Sequence, residues 1–89
     1  MKEVTISSSL QSKLRRLQKK DAKLLQKIRK QLALFVGDPQ HLSLRIHKLQ
    51  GDLKHVWSLS VTMDFRLLFV EDDAYYFFEM GTHDQIYKK

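Results

Sequence analysis

The sequence has 89 residues, room for one compact domain with a modest hydrophobic core and too few for two, so residues 1–89 are read as a single domain. Its apolar content of 43%, its aromatic content of 10% and the lack of any low-complexity tract or repeat are those of a globular chain, and a net charge of +6 directs it toward polyanions such as RNA or DNA, or toward an acidic peptide. The absence of cysteine excludes disulfides, thiolate zinc sites and cysteine nucleophiles, and no apolar run reaches signal-peptide or membrane-span length, so a soluble, cytoplasmic protein that does not engage the membrane is expected.

In chain order, Val4-Thr5-Ile6 is a short β-prone segment, and the serines at 7, 8 and 9 offer an N-cap for a helix starting near Leu10. Leu10, Leu14 and Leu17 then recur at helical spacing with Lys13, Arg15, Arg16, Lys19 and Lys20 between them, the pattern of an amphipathic helix with a cationic outer face. Asp21 is the expected N-cap of a second helix, with an apolar stripe through Leu24, Leu25, Ile28, Leu32 and Phe35. Gly37 and Pro39 stop it near Val36, and the two helices are expected to form a hairpin.

From His41 the period changes to two. Leu42, Leu44 and Ile46 alternate with Ser43, Arg45 and His47 as in a half-buried strand, and a turn is expected at Gln50-Gly51-Asp52. Trp57, Leu59 and Val61 alternate next, and Phe65, Leu67 and Phe69 follow beyond Met63-Asp64, so two more strands are predicted as a hairpin. After the polar turn at Glu71-Asp72-Asp73, the apolar and aromatic run from Ala74 to Met80 predicts a central strand covered on both faces. Gly81 breaks it and opens a polar tail. The expected class is α+β, in the order β-α-α-β-β-β-β, with a helical hairpin packed on an antiparallel sheet.

Nine of the sixteen basic residues lie between Lys13 and Lys30, where Asp21 is the only acid. Ion pairing along the helices does not explain this composition, and a polyanion such as RNA does, with Lys13, Arg16, Lys20, Lys23 and Lys27 as candidate contacts.

His47-Lys48-Leu49-Gln50-Gly51, Trp57-Ser58-Leu59, Asp64-Phe65-Arg66 and Gly81-Thr82-His83-Asp84 occur in that order. This ordered set resembles the RelE/ParE toxin superfamily, specifically its YafQ-like branch, over nearly the whole chain. The resemblance implies a RelE-like fold and the toxin of a type II toxin–antitoxin system. It also implies a cytoplasmic, ribosome-dependent messenger RNA endoribonuclease that inhibits translation, needs no metal or small-molecule cofactor and is held in check by a cognate antitoxin.

Such cleavage uses the ribose 2′-hydroxyl as nucleophile and therefore needs a base, a cation at the phosphate and an acid for the departing 5′-oxygen. The resemblance places His47 and His83 at the proton-transfer positions. Asp64 is then a carboxylate of the same site, orienting a histidine or touching the nucleotide, and Tyr87 an aromatic that stacks or donates a proton. Arg45, Lys48, Lys54 and Arg66 are candidate phosphate cations, Arg45 by its strand parity with His47, and Phe65 is a candidate stacking surface. His41 and His55 match no motif and are read as structural or surface groups.

Ser60 departs from the pattern, because the family usually carries a histidine or arginine near this point. Serine supplies no charge, so cleavage is expected to be attenuated, by about 10²–10³-fold if one transition-state contact is lost, and a restored arginine or histidine is expected to raise it. Two alternatives stay open here: a weak or inactive homologue that binds antitoxin and regulates, and a gyrase-directed relative on the same fold.

Overall fold

A computed structural model describes residues 2–51 and 55–87, the last of these by its backbone alone. Strand β1 is Val4–Ile6, and helix α1, Ser8–Lys20, starts where the Ser7 side chain accepts the Leu10 amide at 3.1 Å. Asp21 ends this helix by donating its amide to the Leu17 carbonyl, and begins helix α2, Ala22–Gly37, by accepting the Leu24 amide on its carboxylate. One residue thus serves both helices, which makes the hairpin tight. Strands β2 (His47–Lys48), β3 (Trp57–Ser60), β4 (Phe65–Glu71) and β5 (Tyr75–Thr82) follow, and helix α3 (His83–Tyr87) closes the described chain.

The five strands lie in the order β1-β5-β4-β3-β2. The hairpin covers one face of this sheet, and Leu10, Ile28, Phe35, Leu44, Leu59, Leu67, Phe69 and Phe77 form the core between them. Phe35, Phe69 and Phe77 meet at its centre with ring centroids 4.8–5.4 Å apart. Trp57 packs against this core, as its parity with Leu59 predicts, and the Lys48 ammonium lies over its ring. On the opposite face Leu49, Val56 and Leu68 form a smaller cluster with Val70 and Ile86.

Four expectations are corrected. Leu42–Leu44 is a 3₁₀ helix rather than a strand, capped by the His41 imidazole, whose Nδ1 accepts the Ser43 amide at 3.1 Å; this local bond competes with a sheet ladder. Arg45 follows in the left-handed region at φ 47, so it shares no strand parity with His47, and only His47–Lys48 pair with β3. β5 is second from the edge, with β4 central, and it is covered on one face only: Phe77 is fully buried while Tyr76 and Phe78 are each 37% exposed. An aromatic run in a strand still alternates its side chains, and composition hides this. Finally, the sheet is mixed, because β1 runs parallel to β5.

The tail is also more regular than its polar composition suggests. Thr82 Oγ1 accepts the Gln85 amide at 3.2 Å while Gln85 Oε1 accepts the Thr82 amide at 2.8 Å, a reciprocal capping box that starts α3. Gly81 fits this closure, since a Cβ there would stand 3.0 Å from Gln85 Oε1.

Candidate active site

Because strand side chains alternate, Leu59 and Leu67 face the helices and Ser58, Ser60 and Arg66 face the other way. Register then assembles a polar row on that face. His47 of β2 pairs with Ser58, Ser60 pairs with Arg66 of β4, and Arg66 pairs with Gly81 of β5, two residues before His83.

His47 is exposed on its edge strand, with Nδ1 3.1 Å from the Arg45 carbonyl and Nε2 3.4 Å from Ser58 Oγ. A carbonyl only accepts, so this bond places the proton of the neutral ring on Nδ1 and leaves the lone pair on Nε2. The Ser58 hydroxyl approaches that lone pair at the outer limit of a hydrogen bond, a weak hold that an incoming hydroxyl can replace. Ser58 itself is only 1% exposed and so is not presented to a substrate. The left-handed turn at Arg45 therefore aims two things at once: its carbonyl orients the base, and its side chain lines the neighbouring cleft.

That cleft, of about 330 Å³, is lined by Ser43, Arg45, Ser60, Val61, Thr62, Met63 and Arg66. It holds two guanidinium groups and no acid, an arrangement suited to a phosphodiester. Gln31 of α2 ties two of its lining residues together, donating to the Ser60 carbonyl at 2.9 Å and to the Ser43 carbonyl at 3.4 Å. Arg66 donates through Nη1 to Ser60 Oγ, and its Nε is buried without a partner among the described residues.

His83 is the first residue of α3. Its amide donates to the Asp64 carbonyl at 2.8 Å and approaches the Asp64 carboxylate at 3.4 Å, so Asp64 meets this histidine through the backbone, pinning α3 to the β3–β4 turn. The His83 ring lies 3.7 Å from the Asp84 carboxylate. β3 and β4, the strands that supply Ser60 and Arg66, separate β2 with His47 from β5 and His83. Among the described residues, Lys2 and Tyr76 have displaced ionisation, near the end of β4 and the start of β5: hydrogen bonds to Glu71 and Asp73 hold both above their ordinary values.

The remaining candidates scatter. Phe65 is half-buried against the core, on the opposite face of the sheet from Arg66. Lys48 is occupied over the Trp57 ring at 5.2 Å. Lys54 and the side chain of Tyr87 lie outside the described residues. Arg16, Lys20, Lys23 and Lys27 are exposed on the hairpin, whereas Lys13 reaches Glu79 of β5 in an ion pair, a tertiary partner that inspection of the helix alone does not reveal. Among the described residues no three His, Cys, Asp or Glu side chains are grouped to hold a metal ion, and no helix is long and apolar enough to cross a membrane.

No protein-family model matches the sequence, and no curated protein matches it. Solved structures do match the fold. E. coli YafQ aligns over 98% of this chain and 99% of its own, at 22% identity and a TM-score of 0.75. The YoeB/ParE toxin of Agrobacterium tumefaciens aligns over 91% and 98%, at 18% identity and a TM-score of 0.73. A chain of the E. coli DinJ–YafQ toxin–antitoxin complex aligns over 97% of each, at 24% identity and a TM-score of 0.73. The chain has the RelE-like toxin fold.

Within this fold, sequence reasoning missed Ser58 and Gln31 at the site and took Ser60 only for a missing charge. Both serines alternate with apolar residues of β3, yet both are buried, and the register sets them against His47 and Arg66. Gln31 carried a signal in principle, as a polar residue beside the apolar stripe of α2 between Ile28 and Leu32.

Proposed function

We propose that the chain is the toxin of a type II toxin–antitoxin pair and a single-domain endoribonuclease that cuts messenger RNA on the ribosome. The observation that carries this reading is the acid-free cleft of Arg45 and Arg66 beside a histidine whose lone pair is fixed on Nε2. His47 removes the 2′-hydroxyl proton, the two arginines bear the charge growing on the phosphate, and His83 protonates the departing 5′-oxygen. Asp64 keeps His83 in place by tying down α3, and Tyr87, in the last turn of that helix, is the candidate to stack on a base. The exposed cations Arg16, Lys20, Lys23 and Lys27 anchor the hairpin on ribosomal RNA.

The partner reading is supported by the DinJ–YafQ complex on the same fold and by a groove of about 450 Å³ between α1 and α2. Ile6, Leu14, Leu25 and Leu32 line it and Arg15 and Arg29 flank it, which suits an amphipathic acidic segment of an antitoxin.

Incubating the folded protein with translating ribosomes and mapping message ends tests the reading: new ends inside the reading frame are expected, and their absence overturns it. Neutral Ser60 favours a second reading, a homologue that binds antitoxin without cutting, in which antitoxin binding persists while growth and message stay intact.

A further inference from the structure

The neutral residue at 60 is placed to serve the site in another way. Ser60 is 5% exposed, its carbonyl is held by Gln31, and it faces Arg66 directly across the β3–β4 pair. Its hydroxyl accepts from Arg66 Nη1 at the wall of the cleft. An arginine side chain loses substantial rotamer freedom when fixed, and a cation already held in place when charge develops on a substrate needs no reorganisation. Of the five N–H donors of the guanidinium, Ser60 takes one, and Nε, buried without a partner among the described residues, still wants an acceptor.

We propose that Ser60 is a positioning residue: its hydroxyl holds the Arg66 guanidinium in the cleft, so the cation that meets the phosphate comes from β4 and not from position 60. This rests on the reading of the cleft as an RNA phosphate site. It also reverses the expectation drawn from sequence for a basic residue at 60. Arginine there removes the acceptor and sets a second positive charge against the first, so Ser60→Arg weakens the site.

The test is a double-mutant cycle on the full chain, read by equilibrium binding of a ten-nucleotide single-stranded RNA and by the rate of message cleavage on ribosomes. Ser60→Ala is expected to lower the cleavage rate roughly tenfold or more, the worth of a hydrogen bond to a charged group. Arg66→Ala lowers it by about 10²–10³-fold, and the double variant is no worse than Arg66→Ala alone. Ser60→Thr, which keeps the hydroxyl, restores most of the rate, whereas Ser60→Arg does not. RNA affinity follows the same order. An ¹⁵N spectrum of the Arg66 side chain adds a readout independent of activity: resolved, slowly exchanging guanidinium signals in the parent and Ser60→Thr, averaged ones in Ser60→Ala.

Multiplicative losses in the double variant, or an Ser60→Ala protein that binds and cuts like the parent, overturn the inference while leaving the nuclease reading intact. A coupled cycle in RNA binding with uncut message supports the inference and overturns the nuclease reading. Failure of the parent to bind the RNA at all overturns the inference.

Discussion

Replacing His47 by alanine lowers the single-turnover rate of message cleavage by about 10²–10⁴-fold, the usual contribution of a positioned general base. The imidazole donates from Nδ1 to the Arg45 carbonyl, which leaves Nε2 as the only lone pair on the ring, and alanine removes it. The substitution touches little else, since His47 is exposed on a two-residue edge strand, so the melting temperature changes by no more than a few degrees. Glutamine sharpens the point. Its amide can donate to the same carbonyl but supplies no base near neutrality, so His47→Gln is expected to be as slow as His47→Ala while keeping the backbone around Arg45 intact. A glutamine variant that cuts at the parent rate would remove His47 from the proton-transfer role.

Phe77→Ala is the largest expected loss of stability, about 3–5 kcal/mol, because a fully buried ring is lost together with the cavity left behind. Phe77 stands edge-on to Phe35 at 5.4 Å and tilted against Phe69 at 4.8 Å, and its carbonyl also accepts the Ser7 amide that joins β1 to the start of α1. The cavity therefore opens where hairpin, β4 and β5 meet. A domain of this size loses roughly 4–8 °C of melting temperature per kcal/mol, so calorimetry should show a drop of about 12 °C or more. With total stabilities of about 5–15 kcal/mol the rule, a loss this large leaves the isolated chain close to unfolding. A shift under about 4 °C would mean that the aromatic cluster is not the centre of the core.

The helical hairpin was legible because its apolar residues repeat at three and four and because Ser7 and Asp21 are capping residues followed by good helix formers. The stretch from Leu42 to Ile46 was not, since its alternation fits a strand equally well. What decides the matter is a side-chain bond from His41 to the Ser43 amide, whose strength against a ladder bond cannot be weighed without knowing that β2 lies at an edge. Helix α3 was legible in principle: Thr82 and Gln85 stand at capping-box spacing, but Gly81 before them reads as a chain break. Its glycine instead makes room for the Gln85 side chain.

At the site, the residue types were visible and their relations were not. His47, Asp64 and His83 could be named from motifs, yet nothing in the motif says that Asp64 holds His83 through the main chain, or that the Arg45 carbonyl fixes the His47 tautomer. Ser60 shows the limit most clearly. Taken alone it is a missing charge, and only the pairing of β3 with β4 turns it into the acceptor that holds Arg66. Lys13 gives the converse case, a cation that looks available for RNA until the fold brings Glu79 to it.

The most direct test of the central claim is the chemistry of the ends that the protein makes on a translated message. Attack by the 2′-hydroxyl, with His47 as base and His83 as acid, leaves a 2′,3′-cyclic phosphate on one fragment and a 5′-hydroxyl on the other. Kinase labelling of newly formed 5′ ends, with and without prior phosphatase treatment, should find them labelled without phosphatase for the parent protein and nearly absent for His47→Ala and His83→Ala. Intact message with a well-folded protein, or new ends that carry 5′-phosphate, would contradict the account.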